Sequence, residues 1–345
     1  MDKKPFKKIH EQIDILEGRG LLIEDEEAAK KTLIRSGYYE VINGYKDAFM
    51  IDPTDDKSGF IPGTKFAHIK ALFELDQQIG SAVLSSLEIF ERNLKQVLAY
   101  VVSENIGSDQ RKYTNKANFS IGEIHRFKHG SKSDRDILEG QFRFTLKHLQ
   151  TEPFIHYRND NGNIPPWIMV KNFSLGNILY WYRLSSTDIR LKVISKLLNL
   201  PPELITTADE SMQITQSIGD TFDLCLEYRN LAAHGGRVYN HRNNQRALTY
   251  TSFLYQADKL GWEHSKTSHT QGKYSSSIGA LLIALSRMEN TAAYANLASW
   301  LYAFVLPYLK SYPEDLDYIF DSLEIRPLIP GKNIKKGLND FLNKQ

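Results

Sequence analysis

One long stretch of the chain repeats apolar residues at helical spacing, and this limits what the chain can fold into. Intervals of three and four residues are kept over six positions: Ile79, Val83, Leu87, Phe90, Leu94 and Val97. Such spacing places all six side chains on one face of an α-helix. The sequence therefore predicts a helix over about 70–104 that buries one face and ends at Gly107.

Similar spacing recurs along most of the chain, so helices are expected to dominate the fold. They are predicted over 6–17, 24–36, 137–150, 167–172, 175–184, 187–198, 201–207, 209–233, 249–260 and 276–310. Polar, glycine-rich or proline-rich segments are predicted to be loops, turns or linkers at 52–64, 158–166 and 262–275. No segment is predicted to be a strand, and the expected fold class is all-α.

The predicted elements suggest three parts. They are an N-terminal helical segment over 1–66, a helical domain over 67–310 and a basic C-terminal tail over 311–345. Residues 108–136 lose the helical period and are predicted to be a basic, partly irregular insertion in the helical domain. The tail is expected to be solvated, since it ends in four lysines: Lys332, Lys335, Lys336 and Lys344.

Charge and cysteine content narrow the class of protein. The net charge is only +2, so a nucleic-acid partner must be bound by local patches rather than by a globally basic surface. The single cysteine, Cys225, allows no disulfide within the chain, is typical of a reducing cytosol and is predicted to be a small buried hydrophobe.

Targeting segments, cofactors and metals are not expected. The N-terminus has no apolar stretch behind its lysines and no run approaches 18 apolar residues, so neither a signal peptide nor a membrane span is predicted. The protein is expected to be cytoplasmic. His241, His264 and His269 lack the spacing of metal ligands, and no structural metal or cofactor is predicted.

The segment Tyr228–His234 reads Tyr-Arg-Asn-Leu-Ala-Ala-His and closes the predicted helix over 209–233. Arg229 and His234 would lie about 140° apart around that helix. Gly235 and Gly236 follow directly, and glycine readily takes the left-handed conformation that ends a helix. His234 is therefore expected in the last helical turn.

These side chains are suited to cutting RNA. RNA supplies its own nucleophile, the 2′-hydroxyl, so cleavage requires proton transfer and stabilisation of phosphate charge. His234 fits the proton transfers and Arg229 fits the phosphate, while Asn230 would bind the phosphate or orient the imidazole. The alternative is structural: Arg229 in a surface ion pair, with Glu227 or a distant acid, and His234 as a plain helix cap.

Basic residues gather in two further places. Arg237, Arg242 and Arg246 lie in a glycine- and asparagine-rich loop without an acid, which is typical of a phosphate-binding surface. Nine Lys/Arg face four Asp/Glu between Arg111 and His148. The candidate RNA contacts there are Arg111, Lys112, Arg126, Lys128 and Lys132. The interleaved aromatics would either stack on bases or pack locally: Tyr113, Phe119, Phe127, Phe142 and Phe144.

Four blocks in order resemble the AbiD/AbiF-type abortive infection proteins of the HEPN superfamily. Tyr228–His234 is similar to the HEPN signature Arg-Asn-x-x-x-His. The others are the Tyr-Tyr and Asn-Gly-Tyr block over 37–49, the Ile-Glu-x-x-x-Arg helix over 87–94, and the Pro-x-Trp and Ser-x-Gly block over 165–176. The resemblance spans about 10–310.

The resemblance implies a HEPN-type helical bundle and a metal-independent endoribonuclease that acts as a toxin in antiphage defence. It also implies a homodimer and restraint by a small non-coding antitoxin RNA. Arg229 and His234 would be catalytic, with Asn230 assisting. Glu88 and Arg92 would support the site from a neighbouring helix, or else form an ordinary ion pair within that helix.

Two positions depart from the family pattern. Lys171 stands where an acid is expected, which puts a polar role at that position in doubt. Gly236 stands where HEPN toxins that are silenced by a nucleotidyltransferase carry a tyrosine, so that form of control is not expected.

Other readings stay open. A non-catalytic protein that holds a structured small RNA would need the same basic residues, and an adaptor for other proteins would need none of them. Five further aromatic residues are expected to be packed in the core: Tyr38, Tyr39, Tyr45, Trp167 and Trp181.

Overall fold

A computed structural model of the protein describes residues 6–127, 130–255 and 265–325. Helices dominate the described residues, and the only sheet among them has two strands, so the all-α class is confirmed. Lys128, His264 and the four lysines of the predicted tail lie outside the described residues.

The helices are numbered in chain order. In the first half they are α1 (Ile9–Gly18), α2 (Glu26–Ser36), α3 (Phe66–Asn105), α4 (Gln110–Tyr113), α5 (Asp134–Lys147), α6 (Phe154–Asn161), α7 (Pro166–Met169) and α8 (Leu175–Leu184). In the second half they are α9 (Thr187–Leu198), α10 (Pro202–Met212), α11 (Ile214–Ala233), α12 (Ser252–Tyr255), α13 (Lys266–Thr270), α14 (Ile278–Ser286), α15 (Ala292–Ser311) and α16 (Leu316–Leu323).

Helix α3 is the long helix that the apolar spacing predicts. Five of the six predicted positions are buried: Ile79, Val83, Leu87, Phe90 and Leu94. Val97 is half-buried, and Leu98 and Val101 continue the buried face instead. The shift by one residue follows because the helical repeat of 3.6 residues drifts against any fixed spacing.

A hairpin lies in the predicted irregular insertion, where no strand was expected, and that expectation is wrong. Strand β1 (Ile124–Phe127) pairs antiparallel with β2 (Gly130–Ser133). The carboxylate of Asp134 anchors it by lying 2.6 Å from Nε2 of His125 and accepting a hydrogen bond from the Glu123 amide. The strands are short and largely exposed, so they lack the apolar alternation by which a strand is recognised.

Other helix boundaries also differ from the predicted ones. Helix α6 covers part of the predicted turn over 158–166, and α13 lies in the predicted linker over 262–275. The single helix expected over 276–310 is divided into α14 and α15. Helix α16 lies in the first part of the predicted tail and buries Ile319, Phe320 and Leu323, so that part is not a solvated end.

The described residues form two compact units, of which each is considered by itself. The first holds 6–82, 231–240 and 299–325, and its core includes Leu16, Ile42, Ile69 and Leu72. The second holds 83–127, 130–230, 241–255 and 265–298. Helix α14 is buried in the second unit from Ile278 to Leu285.

Aromatic side chains between Arg111 and His148 build part of the second unit's core. Phe142 lies 4.8 Å from the Trp181 ring in an edge-to-face contact, and Tyr113 stacks on the same indole at 5.8 Å. Phe119 is buried beside Phe142. Of the two alternatives for these aromatics, base stacking or local packing, these three therefore follow local packing. Phe144 is 49% exposed, and the side chain of Phe127 lies outside the described ones.

Of the five aromatic residues expected in the core, two are buried, two are exposed and one is half-buried. Trp181 and Tyr45 are buried as expected. Trp167 is 42% exposed and Tyr39 is 72% exposed, so their placement in the core is wrong, and Tyr38 is half-buried. A large aromatic residue is often exposed when its backbone position faces outward, and composition alone does not reveal that.

Replacing one of two phenylalanines on α5 tests this core. Phe142→Ala is expected to lower the free energy of unfolding by about 3–5 kcal/mol, since it removes a buried ring and leaves a cavity. Phe144→Ala, two residues further on, is expected to lower it by less than about 1 kcal/mol. Urea denaturation followed by circular dichroism measures both, and equal losses would contradict the assignment.

Candidate functional site at the end of helix α11

Helix α11 ends in a glycine turn, as the sequence predicts. Gly235 has a φ of +68°, in the left-handed region where glycine is favoured. The Gly236 amide donates to the Leu231 carbonyl at 2.9 Å and the Gly235 amide donates to the Ala232 carbonyl at 3.2 Å. These two bonds define a Schellman motif, and they make His234 the C-cap residue.

His234 is exposed at this helix end. It follows α11 directly, one residue beyond the last turn in which it was expected. The residue is thus accessible to a ligand, and the same position serves the structural role of a helix cap.

Arg229 is held by an acid that lies far away in the sequence. Its Nε lies 3.8 Å from Oε2 of Glu91, and its side chain remains 31% exposed. Nη1 also donates to Oδ1 of the adjacent Asn230 at 3.4 Å. The sequence left Glu227 or a distant acid as the partner of Arg229. The partner is the distant acid Glu91, and Glu227 has other partners.

Glu91 is shared between two cations. Lys95 Nζ lies 2.7 Å from its Oε1, and the side chains of Lys95 and Glu91 are 15% and 12% exposed. One carboxylate cannot neutralise both an ammonium and a guanidinium group. The surroundings of Arg229 therefore keep a net positive charge, and the Nε edge of its guanidinium faces Glu91.

Glu88 and Arg92, which were predicted to support the site, lie on α3 beside Glu91. Glu88 and Arg92 are both exposed. Within the described ranges the structure shows no ion pair between them, so the alternative of an intrahelical pair is not realised. Glu91, three residues after Glu88, makes the contact with Arg229. No sequence pattern indicated the contact of Glu91 with α11.

Glu227 binds the loop that follows the motif. Its Oε1 accepts a hydrogen bond from Nδ2 of Asn243 at 3.0 Å and lies 3.2 Å from Nε2 of His241. Burial lowers the pKa of His241, and the nearby Glu227 carboxylate partly offsets this. The Tyr228 hydroxyl donates to the Ser276 carbonyl at 2.9 Å, which adds a second attachment between α11 and residues distant in sequence.

The three arginines of this loop are exposed, but they are not without partners. Arg246 Nη1 lies 2.6 Å from Asp223, which also binds Arg183 at 2.8 Å. The inference that the loop has no counter-charge is thus wrong for Arg246, because the acid comes from α11. Arg242 Nη1 donates to the His241 carbonyl at 2.9 Å. Arg237 donates to a carbonyl of the first unit, which is described below.

The basic insertion presents its cations to solvent. Lys112, Arg126 and Lys132 are exposed. Arg111 is 86% exposed and forms an ion pair at 2.8 Å with Asp109, two residues before it. Such a pair on the surface is weak and exchanges readily for another anion, so all four side chains are available to a phosphate backbone.

Other chemistry finds little support here. Cys225 is fully buried in α11, and burial raises the pKa of its thiol, so it is not a nucleophile at neutral pH. In the described part of the chain, no three side chains of His, Cys, Asp or Glu gather as the ligands of a metal ion would. Nor is any helix there long and apolar enough to cross a membrane.

An all-α protein with an Arg-Asn-x-x-x-His helix end is the class that fold and site define. The family of Abi-like proteins matches residues 31–240. This range covers more than half of the chain and includes all four sequence blocks, and the chain therefore belongs to the Abi-like protein family. Membership indicates a role in abortive infection. No curated protein and no solved structure matches the chain.

Two glycine substitutions, one inside α11 and one just after its end, test the local geometry and are expected to change stability in opposite directions. Gly235→Ala is expected to lower the free energy of unfolding by about 1 kcal/mol, because alanine is strained in the left-handed conformation. Gly219 lies within the helix with open space around its α-carbon. Gly219→Ala is therefore expected to raise stability by up to about 1 kcal/mol. Thermal unfolding compares them, and a stabilising Gly235→Ala would contradict the Schellman turn.

Proposed function

We propose that the protein is a HEPN-type endoribonuclease that acts as a toxin in abortive infection. One observation carries the proposal. The family motif ends in an exposed histidine at a Schellman turn, and its arginine stays partly exposed beside an acid that it shares with Lys95. A cation of that kind has capacity to bind phosphate, whereas a fully neutralised one would not.

The proposed reaction needs no added nucleophile. The 2′-oxygen attacks the neighbouring phosphorus, a 2′-O–P bond forms and the bond from phosphorus to the 5′-oxygen breaks. The products are a 2′,3′-cyclic phosphate and a free 5′-hydroxyl. Arg229 stabilises the extra negative charge on the phosphoryl oxygens, and Asn230 donates a hydrogen bond to the phosphate or orients His234.

Two proton transfers are required, and His234 is suited to each. A neutral imidazole accepts the 2′-hydroxyl proton, and an imidazolium donates a proton to the leaving 5′-oxygen. One histidine cannot do both in a single step. A homodimer would bring a second copy of the motif and divide the two roles, which is the reason to include a dimer in the proposal.

RNA binding and restraint belong to the same proposal. The exposed cations Lys112, Arg126, Lys132 and Arg242 would contact the backbone of the substrate without reading its sequence. Glu88 and Arg92 would support the site from α3. A small structured antitoxin RNA would compete with the substrate for the same cations. Release of that RNA would then activate the toxin.

Alanine variants of the two motif residues test the chemistry. His234→Ala and Arg229→Ala are each expected to lower RNA cleavage at least about 100-fold, since each removes a group that acts in the transition state. Cellular toxicity is expected to fall in parallel. His10→Ala and Arg35→Ala are matched controls, because both residues are exposed and lie outside the motif. Cleavage is measured on a labelled single-stranded RNA after removal of copurified nucleic acid.

Three other results would contradict the proposal. Full cleavage by either motif variant contradicts the mechanism. Tight binding of copurified RNA by a wild-type protein that cleaves nothing indicates the alternative, a defence protein that holds a structured small RNA. A wild-type protein that purifies free of nucleic acid and binds no RNA indicates an adaptor for other proteins.

A further inference from the structure

The chain just beyond His234 is fixed by a buried carboxylate. Asp76, on α3, is 1% exposed. Its Oδ1 accepts the backbone amides of Val238 at 3.1 Å and Tyr239 at 2.8 Å, while its Oδ2 accepts the Tyr45 hydroxyl at 2.6 Å. All of these residues belong to the first unit, as does His234. Two successive amides that converge on one oxygen specify the backbone direction of that segment.

Aromatic contacts add to these hydrogen bonds. The Tyr45 ring stacks on Tyr239 at 5.9 Å and meets Phe73 edge to face at 5.6 Å. The Tyr239 hydroxyl lies 2.6 Å from that of Tyr318 on α16. Residue 239 is thus held on its backbone, its ring and its hydroxyl, so the segment after the helix end has one well-defined position.

Arg237 places a positive charge near Asp76. Burial raises the pKa of Asp76, and its hydrogen bonds and the charge of Arg237 offset this only in part. The Arg237 guanidinium also donates to the carbonyl of Gly44, next to Tyr45. A buried carboxylate is costly unless it is paired and hydrogen-bonded. Arg237 therefore has a structural partner that its assignment to RNA binding did not consider.

We propose that Asp76 is a positioning residue for His234, and that Tyr45 and Arg237 act with it. A C-cap side chain is directed by the helix on one side and by the following segment on the other. The Schellman turn alone would leave that segment free to fray, as helix ends do. Anchoring residues 237–239 to Asp76 fixes the exit from the turn, and with it the orientation of the imidazole. This inference rests on the proposed function, in which that orientation governs the rate.

The same inference gives a role to the Asn-Gly-Tyr block. Gly44 accepts from Arg237 and Tyr45 donates to Asp76, so two consecutive residues of the block hold the segment beyond the motif. Adding a Cβ at Gly44 would bring it within 2.7 Å of the Glu40 carbonyl. The block thus requires a glycine for space and a tyrosine for its hydroxyl.

Three variants test the inference, because each removes one polar group of the anchor around Asp76. Asp76→Asn, Tyr45→Phe and Arg237→Ala are expected to lower kcat by about tenfold or more with KM within about twofold, since a small misplacement of a catalytic group slows the chemical step. Arg242→Ala is expected to raise KM with little change in kcat. Asp47→Asn and Tyr39→Phe, both exposed in the same unit, are the matched controls.

Two measurements separate positioning from mere stability. Amide hydrogen exchange at Val238 and Tyr239 reports the anchor, and the NMR titration of the His234 imidazole reports its surroundings. Asp76→Asn is expected to speed exchange at both amides and to change the His234 titration. Unchanged exchange and titration, or an unchanged kcat in a merely less stable variant, would overturn the inference.

These outcomes are distinct from a failure of the proposed function. A wild-type protein without ribonuclease activity overturns the proposed function, while the exchange and titration measurements still decide the role of Asp76. If Asp76→Asn does not fold, Tyr45→Phe and Arg237→Ala decide, because each removes one hydrogen-bonding group and leaves the carboxyl group of Asp76 in place. A wild-type titration of His234 in both would then overturn the inference.

Discussion

A buried carboxylate must be surrounded by donors, and in the first unit Asp76 gathers them from two distant parts of the chain. Asp76 accepts hydrogen bonds from the Tyr45 hydroxyl and from the backbone amides of Val238 and Tyr239. The positive charge of Arg237 lies nearby. Loss of any of these donors would leave a buried carboxyl group with fewer hydrogen-bond partners, which is costly in a protein core. The position of the chain after α11 follows from that requirement.

The helices could be predicted largely because their information is local. Apolar spacing gave α3, and two glycines gave the end of α11, where φ at Gly235 agrees with the expected turn. The hairpin in the insertion and α16 could not be predicted in this way. The strands of the hairpin are short and exposed, and α16 depends on the burial of three side chains by residues far away in the sequence.

The motif could be located from the sequence, whereas the partners of its residues could not. Glu88, Glu91 and Arg92 all lie within about one turn of α3, and only packing determines that Glu91 meets Arg229. Asp76 carries no local signal, since an aspartate in a helix is usually solvated. Asp223 likewise shows its partners, Arg183 and Arg246, only once α11 and the loop are folded.

In the second unit, two carboxylates each serve two cations. Glu91 is shared by Lys95 and Arg229, and Asp223 is shared by Arg183 and Arg246. Each trio therefore has one positive charge in excess, which small anions from the solvent will screen. A polyanion that replaces them sets those ions free, and the resulting gain in entropy shrinks as the salt concentration rises. Any affinity of this unit for a polyphosphate chain would therefore fall as the salt concentration rises.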